Sequence, residues 1–542
     1  MEQIGVVATS RVQRWLDAPL SDFGCLVAWI LATAVFVGGV ALLGGPSIAD
    51  VGQSAYATWA VEHGHLSCAY PPASGVTQMF PPAFRPGVSP PPLWPLLSGG
   101  LAALVRIGHG LPFPAPHNLG PQCQTGNVAL YVWAVASGGI KATADLAYAS
   151  WFALLGGVVT LVRATGRGRR RSEAVAVLLV ALTPVAWMPL LEYFHPQDLL
   201  ALGLVLGGTA CALRRQWVWA GILLGLAVTA QQFALLGLIP VVVVAPADVR
   251  MRLGSAAAVA WGAVSLPFVA LSEGRALGPV VFGTGNGGTF GGTVLWETGL
   301  RGVALMVCAR ALPLVGAGAL AWWVHRRLGP DAPAPVPLVS LIAVCLGLRV
   351  VFEQGLFGYK LLALVVMLVV LAVVVGRITA ELVAWLSLAT LAYTSVPAWL
   401  TVDGTSYGAD VVTVLELSSI LALLSAVLWD VFRRRRVSGR AVVGFALVVV
   451  AYVHWLPTTG HLPAPLPKWL CQLALVGTGM VLAARPLAAA MREGTERRVA
   501  ADAGIEVQAV SVAPAPSLVP GDLRRRAWLA RQGAAAVPLV VD

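Results

Sequence analysis

Residues 23–43 read FGCLVAWILATAVFVGGVALL, an unbroken apolar run without a charged side chain. At 1.5 Å per residue such a helix is about 30 Å long, the thickness of a bilayer's hydrocarbon core. On its N-terminal side, residues 1–19 are polar and carry Arg11 and Arg14, and residues 1–21 precede the span. The run is long for a secretory h-region and no clear small-residue cleavage site follows it. It reads as a signal anchor, residues 22–43, behind a cytoplasmic N-terminus. On its C-terminal side stands Asp50, which opens a proline-rich, aromatic-studded segment, residues 44–139.

The same signal repeats along the chain. Of the 542 residues, 58% are hydrophobic and 11% charged, and mean hydropathy is +0.79. A soluble domain carries about 25% charged residues, so the expectation is an all-α polytopic membrane protein. Continuous rather than alternating apolar runs select helices over a barrel. The net charge of +11 does not imply a nucleic-acid partner. The arginines fall in short clusters between apolar runs: Arg167 with Arg169–Arg171, Arg214–Arg215, Arg250 with Arg252, Arg326–Arg327, and Arg433–Arg436. That is the positive-inside pattern.

Placing the clusters inside fixes a topology. Spans are expected at about 141–163, 173–191, 198–213, 217–230, 232–246, 254–271 and 299–325. Others follow at about 335–352, 359–376, 379–399, 411–430, 441–456 and 468–484. With the first, these make roughly 14 spans, a bundle over residues 140–484 and a loosely ordered cytoplasmic tail, 485–542. Residues 93–107 are apolar but follow three prolines, and a crossing there would invert everything after it. They read as an interfacial or re-entrant helix in the outer segment. The pair at 217–246 reads as a tight hairpin with Gln231 and Gln232 at its tip.

This topology gathers the polar residues on the outer face. The three lysines, Lys141, Lys360 and Lys468, each stand at the outer mouth of an inward-going span. They are either anchors snorkelling at helix ends or parts of an anion site. Glu192-Tyr193-Phe194-His195-Pro196-Gln197-Asp198 fills one short outer turn; it is a polar turn with a cap or a binding cluster. Arg349, Glu353 and Lys360 flank another, where arginine and lysine can hold a phosphate or simply pair with Glu353. Asp145 and Glu416 are ionisable residues inside spans, which mark function by default. Cys68 and Cys123 share the outer segment and can form a disulfide in an oxidising compartment. No CxxC occurs, which disfavours a thiolate zinc site, and the sequence calls for no metal and no cofactor.

Four stretches carry a resemblance: Ile48-Ala49-Asp50 with Tyr56, Tyr70-Pro71-Pro72 and Pro91-Pro92-Leu93; Lys141 with Asp145; His195-Pro196-Gln197-Asp198-Leu199-Leu200 leading to Trp219–Ala227; and Phe352–Lys360. The chain resembles the GT-C superfamily of membrane glycosyltransferases, nearest to the polyprenyl-phosphate-mannose-dependent mannosyltransferases of glycosyltransferase family 87. The resemblance covers roughly residues 20–376 through short, degenerate motifs. It implies transfer of mannose or another hexose, with inversion, on the extracytoplasmic face of the cell membrane. The donor would be a polyprenyl-phosphate sugar and the acceptor an envelope glycolipid or glycan. It also implies Asp50 as general base, with Lys141, Arg349 and Lys360 at the donor phosphate. Tyr56, Glu192, His195, Gln197 and Asp198 would contact substrate. Two departures stand out. Pro196-Gln197 replaces the family's common Gly-Gln or Gly-Asn, and Asp50 lacks an adjacent acid to make a metal-binding pair. A lipid-linked glycan ligase, polymerase, flippase or transporter is the alternative.

Overall fold

The structure, a computed structural model, describes residues 15–42, 51–70, 90–109, 139–167, 171–191, 194–282, 294–329, 334–353, 358–376, 379–394 and 468–502. The chain divides into two compact units, Met1–Arg492 and Glu493–Asp542. The described residues are helices and the turns between them, with no strand among them.

In the first unit, α1 is Asp22–Leu42, α2 Val51–Glu62, α3 Leu93–His109, α4 Gly139–Val162 and α5 Arg171–Leu182. Next come α6 Pro196–Leu213, α7 Trp217–Ala230, α8 Leu235–Val244 and α9 Ala247–Leu271. They are followed by α10 Gly302–Leu328, α11 Pro335–Phe352, α12 Leu362–Val375 and α13 Ala380–Thr394. The last helix, α14, is Lys468–Asp502, and the division between the two units falls within it. Among the described residues, seven helices are long and apolar enough to cross a membrane, and four shorter apolar helices accompany them. The spans expected at 411–430 and 441–456 lie outside the described residues.

Burial separates the helices into centre and rim. α12 is apolar on every side and buried from Leu362 to Val374, which makes it the central strut. It packs on α11 and α5. The most apolar stretches of α6 and α11 are 78% and 72% buried, against 28% for α9 and for α10. The last two therefore present most of their apolar surface outward, as lipid-facing helices do.

Lipid tails are as apolar as leucine, so helices associate in a membrane through close packing at small residues. Two interfaces show it. A Cβ on Gly157 of α4 would run into the carbonyl of Gly203 on α6, and one on Gly203 would meet Ala153 of α4. On α7, a Cβ at Gly221 would strike the Leu253 carbonyl of α9, and one at Gly225 the Ala257 carbonyl. Both partners rise together in number, so α7 and α9 run parallel. The intervening α8 therefore returns antiparallel, but the pair expected as a tight hairpin at 217–246 is open: α7 packs mainly on α6 and α9 rather than on α8.

The described part of residues 44–139 contains more helix than expected. α2 is held on α3 by the Trp94 Nε1–H donating to Ser54 Oγ (2.9 Å) and by Thr58 Oγ1 and Ser98 Oγ (2.7 Å). Tyr70 donates its hydroxyl to the Pro90 carbonyl at 2.9 Å, and burial pushes its phenol well above the ordinary value of 10. Cys68 is in a disulfide; Cys123, its expected partner, lies outside the described residues.

Three expected boundaries move. The span at 173–191 is broken: α5 stops at Leu182, and the chain continues as a 3₁₀ turn, Pro184–Ala186, and one helical turn, Met188–Leu191. Pro184 accounts for the stop, because its ring clashes with the carbonyl one turn back and it donates no hydrogen bond. Residues 51–62, read as part of the long proline-rich segment 44–139, are helical. The last span runs past residue 484 to Asp502, since alanines and arginines there favour helix without apolar character.

Candidate functional site

The turn before α6 is strained into place. Phe194 is buried and sits at φ 52°, a conformation costing a bulky L-residue about 1–2 kcal/mol. The His195 backbone N–H then donates to the Pro189 carbonyl. Pro196 starts the helix with its fixed φ, which leaves Gln197 and Asp198 buried in the first turn. The His195 ring stacks on Tyr359 with centroids 4.5 Å apart and planes 14° apart, and Gln197 Nε2 lies 2.8 Å from His195 Nδ1.

Asp198 is reached from the α7–α8 turn. Gln231 takes extended geometry between α7 and α8 and donates from Nε2 to Asp198 Oδ1 at 2.6 Å. Arg349, in the last turn of α11, comes within 3.8 Å of Asp198 Oδ2. Its guanidinium lies over the Phe233 ring, 4.4 Å from the centroid.

The centre of the cluster is Glu353, which caps the C-terminal end of α11 and is buried. Three cations converge on it: Arg349 Nε at 3.2 Å, Lys360 Nζ at 3.2 Å, and Arg310 Nη1 at 3.3 Å from one oxygen and 3.4 Å from the other. Lys360 stands just before α12, and Arg310 inside α10. Among the described residues, the cluster brings together three basic and two acidic side chains, a formal charge of +1. A cavity of about 60 Å³ opens on it, lined by Gln231, Phe233, Arg310, Arg349, Glu353 and Lys360 among others. That is room for a few waters or the oxygens of one phosphate group.

Of the residues singled out from the sequence, the structure brings Arg349, Lys360, His195, Gln197 and Asp198 together. Tyr56 is placed elsewhere, buried in a separate apolar cluster with Trp59, Tyr70 and Phe268. Its ring stacks on Trp59 because both occupy one face of α2. Asp50 and Glu192 lie outside the described residues, as does Glu416. Lys141 opens α4, but its side chain is outside the described residues; Asp145, one turn on, is exposed.

Arg310 and Gln231 belong to the cluster and were not named as site residues above. A signal for Arg310 existed: an arginine nine residues into a 27-residue apolar helix is costly unless it has a partner. Among the described residues, no three His, Cys, Asp or Glu side chains are grouped to hold a metal ion. Comparison with protein-family models gives no match, and comparison with curated proteins gives none.

Proposed function

We propose that the chain is a membrane-embedded hexosyltransferase. It would move a sugar, mannose or another hexose, from a polyprenyl-phosphate donor to an envelope glycolipid or glycan acceptor. The observation that carries this reading is the convergence of Arg310, Arg349 and Lys360 on buried Glu353 beside a cavity. Its net positive charge suits a phosphodiester donor whose lipid tail stays in the bilayer. The acceptor hydroxyl attacks C1 of the sugar, its proton passes to a base, and the C1–O bond to phosphate breaks with inversion. Charge grows on the leaving polyprenyl phosphate in that step, and preorganised cations stabilise it.

The resemblance assigns the base to Asp50 and the extracytoplasmic side to the site. The positive-inside distribution agrees on the side, since Arg214, Arg215, Arg250, Arg326 and Arg327 all lie at the far ends of α6, α9 and α10. The test is transfer of labelled hexose from a polyprenyl-phosphate donor by the full chain in nanodiscs. Wild type is expected to turn over, and Asp50→Asn to lose transfer while keeping its melting profile. Full activity in that variant removes Asp50 from the reaction.

One observation favours a secondary transporter as the second reading: the break after α5 at Pro184 leads straight into the charged cluster. Transporters build substrate sites at such discontinuous helices. Uptake of labelled sugar into proteoliposomes, without transfer from a lipid donor, is the result that selects it.

A further inference from the structure

We propose that Glu353 is a resident counter-ion which holds the anion seat of this cavity until a phosphate ester takes its place. The proposal rests on the transferase reading for the identity of the ester, and on the following geometry for the seat. Glu353 is a single carboxylate within 3.4 Å of three cations drawn from three places: Arg310 in α10, Arg349 in α11, and Lys360 before α12. An ordinary structural ion pair needs one partner. Three cations around one acceptor is the coordination that a phosphate, with its several oxygens, receives from arginine and lysine.

Burial makes a stand-in anion necessary. Lys360 and Arg349 are each only 8% exposed. Buried cations without an anion are strongly unfavourable, so an empty phosphate seat has to be filled by the protein itself. Glu353 is suited to yield the place. It lies just beyond the last residue of α11, outside the helix's hydrogen-bonded body. Asp198 stays behind: its Oδ1 is bonded by Gln231 and its Oδ2 faces Arg349. Arg310, Glu353 and Lys360 all line the cavity. The arriving ester oxygens would meet them from that side, and the seat would exchange one anion for another with little change in net charge.

This arrangement has a sign that a purely structural role lacks. If Glu353 competes with the ligand, removing its charge tightens binding; if it merely positions the three cations, removing it loosens binding. The probe is farnesyl phosphate, titrated by calorimetry into the full chain in nanodiscs. E353Q is expected to bind about tenfold more tightly than wild type, the scale of one nearby charge removed in a partly buried site. Lys360→Met is expected to bind more weakly than wild type. Weaker or unchanged binding by a folded E353Q overturns the proposal. Should E353Q fail to fold, E353D keeps the charge but withdraws it by one methylene, and tighter binding is again the expected result, with looser binding the contrary one. The transfer assay separates the two readings. Tighter farnesyl phosphate binding by E353Q with no wild-type transfer from a sugar donor leaves the anion seat standing and removes the transferase. Transfer with unchanged E353Q affinity does the reverse.

Discussion

The two ends of α6, α7 and α10 hold their charges in opposite ways. At one end, Arg214 and Arg215 stand exposed in the turn between α6 and α7, and Arg326 and Arg327 lie exposed at the close of α10. At the other, Asp198 starts α6, Gln231 ends α7, and Arg310 points into a buried set with Glu353, Arg349 and Lys360. Along α10 the two are about 24 Å apart at 1.5 Å per residue. The exposed arginines keep their water and cost nothing to place. Arg349 and Lys360 have lost nearly all of theirs, Arg310 most of its own, and only the geometry of their partners makes that tolerable. The comparison teaches that charge count says little about where chemistry sits in such a chain, whereas charge burial says a good deal.

The largest effect should come from removing the anion at the buried end. Glu353→Ala removes the buried carboxylate that Arg310, Arg349 and Lys360 share, and is expected to cost about 3–5 kcal/mol, read as a fall in the melting midpoint in detergent. Arg327→Ala, at the exposed end, should leave that midpoint where it is. Equal shifts in the two variants would erase the distinction. Next in size, Lys360→Met should lower transfer from a polyprenyl-phosphate donor about 10²-fold if it stabilises the leaving phosphate. Arg215→Ala should leave transfer unchanged.

Both residues of that last pair were visible in the sequence, but the buried end was readable there only in part: Arg349, Glu353 and Lys360 stood out, whereas Arg310 and Gln231 did not enter the site. Exposed arginine clusters announce themselves because they interrupt apolar runs, and the runs fix most helices: a span is expected at residues 335–352, and Pro335–Phe352 is the helix. The buried end is built from pairings across 33 residues for Gln231 with Asp198 and 43 for Arg310 with Glu353. No local pattern encodes these. Arg310 stands out among its apolar neighbours, but its partner is on another helix. Helix α2 went unseen for a related reason: Gly52, Gln53, Ser54 and Thr58 look like loop, yet Ser54 and Thr58 bond to α3 instead of water.

One pair at the basic end departs from its neighbours and sharpens the contrast. Glu173 is 1% exposed, and Arg163 bonds it twice, from Nε at 2.9 Å and Nη2 at 2.8 Å. Here a carboxylate, not an arginine, is the buried partner. Arg163→Ala should therefore cost about 1–3 kcal/mol, the penalty of leaving a buried acceptor unmade, and loosen the turn between α4 and α5. Transfer at the distant cavity should persist. Loss of transfer with retained stability would mean that the two ends communicate.

The smallest effect tests the exposed class itself. The Arg326 guanidinium lies 3.9 Å above the Trp322 ring, and both side chains are exposed. An exposed cation–π contact contributes about 0.5–1 kcal/mol, so Arg326→Ala should barely move the melting midpoint. Its consequence lies in orientation, because arginines near span ends set which side of the membrane they stay on. Arg326→Glu combined with Arg327→Glu should leave the buried cluster intact in detergent but reduce the fraction of chains inserted with α10 ending inside. Protease protection of a tag placed after Gly329 measures that fraction in membrane vesicles. If the doubly substituted chain inserts as wild type does and still melts normally, the exposed arginines of α10 carry neither stability nor topology. Orientation would then have to come from the clusters at Arg214–Arg215 and Arg250–Arg252, which flank the α7–α8 pair on both sides.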